Sequence, residues 1–239
     1  EWALDDRNAP RALELLNELP TGVARRTHAL RLRLQAAKLG GLAQDALKTA
    51  RLLVKHQGFS KAAAQGLLRS LASETLTHAH DIDQLRRIWL GFDAADRRDP
   101  YVAASAAARA VALDAPDEAR AWLRPFWEQL DELGSDERAV VAEAFADAVA
   151  GVGAEWLPRL EAAAQAFPRD GAIALAVGMG LVERQLWGKA GRLLEQAAND
   201  PALGNAHRRR AWVGLARLAQ REGDAPRAAL SFEAAARLA

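Results

Sequence analysis

The chain of 239 residues has no cysteine, one methionine and one tyrosine. Without a thiol there is no disulfide framework, no thiolate zinc site and no cysteine nucleophile, and the absence leaves the compartment open. An excess of one charge is missing too: 32 Lys and Arg stand against 31 Asp and Glu. No net field therefore draws in nucleic acid or anionic lipid. The densest basic cluster, Arg208-Arg209-Arg210, fans around a helix and reads as a solvated face. No run reaches the ~18 consecutive apolar residues of a membrane-spanning helix, and no signal peptide is visible. Val and Ile are sparse, and nowhere do apolar and polar residues alternate between turns at strand spacing.

What is there is alanine, punctuated at regular intervals by helix breaks. Asn8-Ala9-Pro10, Gly40-Gly41, Gln57-Gly58-Phe59-Ser60, His80-Asp81, Asp99-Pro100 and Asp114-Ala115-Pro116 mark the first half. Gly134-Ser135-Asp136, Gly151-Val152-Gly153, Asp170-Gly171, Asp200-Pro201 and Gly223-Asp224 mark the second. These are stop and cap signals, and they predict about a dozen helices joined by short turns. The fold class is all-α.

The breaks carry a period. In the last unit Trp212, Leu215 and Ala219 precede the Gly223-Asp224 turn, and Ala228, Phe232 and Ala235 follow it. Ala228 reads as the small residue where two helices touch, with Phe232 plugging the gap one turn later. The corresponding positions upstream are Ala190, Trp156, Ala119, Leu85, Ala46 and Ala12, separated from the N-terminal end by 34, 39, 34, 37, 34 and 38 residues. A 34-residue helix-turn-helix period is that of the tetratricopeptide (TPR) repeat. The expectation is one TPR-like right-handed solenoid over residues 1–239, with six to seven helix pairs and a truncated first repeat. Gly188 and Ala190 are expected to be its close helix contacts. The opening Glu1-Trp2-Ala3-Leu4, without Met, is expected to belong to a helix already under way.

Chemistry is hard to find. His78 and His80 have no third ligand at metal spacing, and His56 sits where a helix C-terminus would favour an imidazolium. "GVGAEW" has no third glycine and no preceding strand. No G-x-S-x-G elbow is present, and the paired carboxylates fall at helix ends. The "GMG" at Gly178–Gly180 lies inside a helix and reads as packing. Nothing points to catalytic residues, a metal or a cofactor. Seven tryptophans are present; Trp89, Trp156 and Trp212 fall on repeat positions, whereas Trp2, Trp122, Trp127 and Trp187 follow them less closely.

Four blocks in order, "ALELLNELP", "ARLLVKHQGFSKAAAQGLL", "RRDPYVAASAA" and "LWGKAGRLLEQA", resemble the HemY family of bacterial haem-biosynthesis-associated TPR proteins. The specific parts are Leu186 to Ala190 and Lys55 to Ser60. The resemblance implies an N-terminal two-helix membrane anchor missing from this stretch, and a place on the cytoplasmic side of the bacterial inner membrane. It also implies a part in late protohaem IX synthesis.

Two functions follow as expectations. The first is a scaffold holding late haem-pathway enzymes through the first helix of each pair, with Arg31, Gln35, Gln65, Arg69, Arg109, Glu143, Arg184 and Lys189 as partner contacts. The alternative is a module that binds haem or porphyrin directly, through His56 and Trp187 or His78 and His80, with arginines on the propionates. A TPR adaptor for unrelated membrane-associated partners is a third possibility.

Overall fold

A computed structural model describes residues 2–56 and 59–238, and of Lys61 the backbone alone. Among these residues the chain is all-helical, without a strand. The chain divides into two compact units, Glu1–Val102 and Ala103–Ala239.

The first unit contains α1 (Trp2–Asp5), α2 (Ala9–Asn17), α3 (Thr21–Ala24), α4 (Thr27–Leu39), α5 (Ala43–Lys55), α6 (Lys61–Thr77), α7 (Ile82–Leu90) and α8 (Ala94–Arg97). It also holds the first residues of α9 (Pro100–Ala112). Local chemistry starts and stops these helices where the sequence places its breaks. The Asn8 side chain accepts from the Arg11 amide at 3.1 Å, with proline in the first turn of α2. Asp81 accepts from the Gln84 amide at 2.7 Å and opens α7. Gly41 takes the left-handed φ of +67° that reverses the chain after α4, a conformation that costs glycine nothing. The break predicted at Gln57-Gly58 lies outside the described residues; Ser60 beside it caps α6 through the Ala63 amide at 3.4 Å. Helices then pack on helices next or next but one in sequence: α2 on α4, α4 on α5, α5 on α6, and α6 on α7 and α8.

The second unit continues with α10 (Pro116–Trp127), α11 (Ser135–Asp147), a 3-10 turn (Ala154–Trp156), α12 (Leu157–Ala166), α13 (Gly171–Glu183), α14 (Trp187–Asn199), α15 (Asn205–Glu222) and α16 (Ala225–Ala236). Besides neighbour pairs such as α13 with α14 and α15 with α16, alternate helices touch, α11 with α13 and α13 with α15. The seven positions picked out by the period (Ala12, Ala46, Leu85, Ala119, Trp156, Ala190 and Ala228) are all buried. Two residues depart from expectation. Phe232 is 40% exposed rather than plugging a gap. A Cβ on Gly188 would meet nothing within 4 Å, so this glycine is not a close helix contact. The tight approaches are elsewhere: a Cβ on Gly178 would come 2.9 Å from the Leu194 side chain, and one on Gly180 2.8 Å from that of Leu160. Packing does account for the "GMG" stretch.

Three aromatic rings lock α10, α11 and the 3-10 turn together. Phe145 stands 4.5 Å from Trp127 and 4.8 Å from Trp156 between ring centroids. Helix α13 is buried almost all round, because side chains from both flanking helices meet across it. Asp147 of α11 pairs with Arg210 of α15, and Glu143 Oε1 lies 3.4 Å from His207 Nδ1. A helix without a charge before Glu183 suits that enclosure.

Candidate functional site

The first unit holds a groove of about 790 Å³, within the range of small-molecule and peptide side-chain sites. Its apolar surface comes from Val54 at the end of α5, from Phe59, from Leu68 of α6 and from Val102 of α9. Residues 64, 65, 68 and 69 all line it, the spacing that puts four side chains on one face of α6. Two residues expected as partner contacts, Gln65 and Arg69, thus stand one turn apart on the same wall.

The charges around this groove are matched within the unit. Arg69 Nε donates to both carboxylate oxygens of Asp99, at 3.0 and 2.9 Å, and Nη2 lies 2.7 Å from Oδ2. The guanidinium also lies over the Tyr101 ring, 3.9 Å from its centroid, so it is clamped flat between an anion and a π face. Asp99 in turn accepts from the amides of Tyr101 at 3.0 Å and Val102 at 3.3 Å. One carboxylate therefore fixes the arginine and caps α9, beginning at Pro100. Arg51 of α5 pairs with Asp93 at 3.1 Å and with the buried Asp96 of α8.

The result is a preorganised wall with an apolar floor and little net charge. Such a surface can bury an apolar side chain and offer the exposed Gln65 amide as both donor and acceptor. Among the described residues, no group of three His, Cys, Asp or Glu could hold a metal ion.

The other expected contacts fall as follows. Arg31 and Gln35 are exposed on α4, and His56 is the exposed C-cap of α5, the helix end read from sequence. His78 ends α6 and is exposed, as is His80. Arg109 is half-buried on α9. In the second unit Glu143 already faces His207, and Arg184 is the exposed C-cap of α13. Lys189 pairs with Glu161 at 2.7 Å, both well exposed. Trp187 lies under Arg221, 4.3 Å from guanidinium carbon to ring centroid, which gives this indole a packing partner at the end of α15.

Sequence reasoning missed the short helix α8, which supplies Asp96, and it missed Arg120. That arginine is 4% exposed; it donates to the carbonyls of Ala148 and Ala150 and pairs with Asp117. It ties α10 to the chain leaving α11. The apolar i, i+4 pattern around it gives no sign of a buried charge. The chain matches no known family profile, no curated protein and no solved structure.

Proposed function

We propose that the chain is a protein-interaction module, with no reaction of its own, that seats a segment of a partner protein in the groove of the first unit. The observation that supports this is the union of an apolar floor with a charge-matched, rigid rim that includes Gln65 and Arg69. Grooves of this kind anchor a partner through one or two buried side chains, while the surrounding polar groups set its register. The helix pairs with buried residues at 34- to 39-residue intervals, five of the seven alanine, fit a TPR-like solenoid, and we read the architecture that way. Combined with the HemY resemblance, the reading makes the module a scaffold for late protohaem enzymes at the inner membrane, with this region on the cytoplasmic side.

The test is a photo-crosslinking amino acid at Gln65, activated in cells that carry the full-length protein. The expected result is a discrete adduct with a haem-pathway enzyme that disappears when Leu68→Glu is added. An adduct unaffected by Leu68→Glu, in a variant with unchanged thermal melting, contradicts a partner seated in the groove. A groove-dependent adduct with an unrelated protein keeps the interaction module and removes the haem assignment.

A further inference from the structure

We propose that the second unit carries a separate docking site for an extended acidic segment of a partner protein, formed by α13 and the arginine face of α15. The site is a groove of about 400 Å³ with Met179 and Val182 on one side and Val213 and Gly214 on the other. Arg209, Arg210 and Arg217 stand around it.

The three arginines are not equivalent. Arg210 is paired with Asp147. Arg209 and Arg217 are exposed, and among the described residues their side chains form no hydrogen bond or ion pair. Burial, and then the neighbouring Arg217 guanidinium, hold Arg210 below the ordinary guanidinium range. Burial is the larger of the two causes, and the like charge of Arg217 adds to it. The groove of the first unit neutralises its own charges; this one leaves two cations facing solvent beside an apolar floor. Its chemical complement is an apolar side chain flanked by carboxylates.

The spacing narrows the occupant further. Arg209 and Arg217 are eight residues apart on one helix, about 12 Å at 1.5 Å per residue. An extended chain advances about 3.3 Å per residue, so carboxylates four positions apart reach both guanidinium groups. The apolar residue between them then lies over Val213 and Met179. A groove of about 400 Å³ takes a side chain, not a helix about 10 Å across. Glycine at position 214 lets the floor pack closely, since a Cβ there would sit 3.0 Å from Leu194 Cδ1.

Met179 is the only methionine, so labelling methionine methyls with ¹³C places a single reporter in the groove. The probe is a synthetic peptide, Gly-Asp-Gly-Leu-Gly-Asp-Gly, titrated into the whole chain. We expect a saturable shift of the Met179 methyl, at least ~10-fold weaker in apparent affinity for Arg217→Glu, where one attraction becomes a repulsion. The same shift should weaken as salt is raised. Arg217 is exposed, and an unchanged methyl position in the free variant shows that the fold is intact. A peptide with lysine for both aspartates should leave the signal unmoved. The proposal is overturned if the methyl does not respond to the aspartate peptide, responds equally to the lysine peptide, or keeps its affinity in Arg217→Glu. Citrate moving the methyl as far as the peptide does, at equal concentration, also overturns it, in favour of a small-anion site.

Discussion

Ala190→Arg is expected to unfold the packing of α14, with a loss of about 3–5 kcal/mol. Ala190 has no exposed surface and lies on a helix packed against both α13 and α15. An arginine there must either push α14 off its neighbours or leave a guanidinium in a buried helix interface. A native state is stable by only about 5–15 kcal/mol, so the effect is a large part of the total. For a chain of this size it corresponds to a fall of roughly 10 °C in melting temperature, read by far-ultraviolet circular dichroism. Gly188→Ala, two residues earlier, is the control. Open space surrounds its hypothetical Cβ, and alanine is the better helix former by about 1 kcal/mol, so melting should stay level or rise. A substantial loss at Gly188 and none at Ala190 would show that the helix contact is placed on the wrong residue.

Phe145→Ala is expected to cost about 3–5 kcal/mol. The ring is fully buried and sits between Trp127 and Trp156, the latter supplied by the 3-10 turn before α12. Removing it leaves a cavity that neither indole can fill without breaking contacts of its own. Trp127 Nε1 donates to the Arg159 carbonyl at 3.4 Å, and Trp156 has the Arg159 guanidinium 5.7 Å from its ring. Near-ultraviolet circular dichroism should therefore lose intensity along with the drop in denaturation midpoint. Phe232→Ala is the comparison. With the side chain 40% exposed, it should cost only about 1–2 kcal/mol. Equal losses at the two positions would mean that the last helix is packed far more tightly than the exposure of Phe232 allows.

The contrast between these pairs shows what a sequence can carry. Helix boundaries were legible because caps are local: Asn8, Asp81, Asp170 and Asp224 each accept from an amide two or three residues on. The buried repeat positions, five of the seven alanine, were legible because their spacing recurs. Gly188 was misread because a glycine looks the same in sequence whether a neighbouring helix presses on it or not. Phe232 was misread for a related reason. The repeat places it on a face of α16, but burial needs atoms opposite, and among the described residues that face has too few. The ion pairs lay out of reach. Asp147 and Arg210 are 63 positions apart, and only the packing of α11 and α15 on α13 brings them together. In the first unit, Gln65 and Arg69 stand out from polarity on a first helix. The groove they border was not, since it needs α8 and the capping geometry of Asp99.

Affinity is the most direct test of the central claim, that the groove beside Gln65 and Arg69 seats a partner. The enzyme recovered by crosslinking would be purified and titrated calorimetrically into the unmodified chain and its Leu68→Glu variant. Saturable binding to the unmodified chain is expected, at least ~10-fold weaker for the variant because a carboxylate replaces an apolar contact in the floor. Equal dissociation constants for the two chains, with both fully folded, would contradict it.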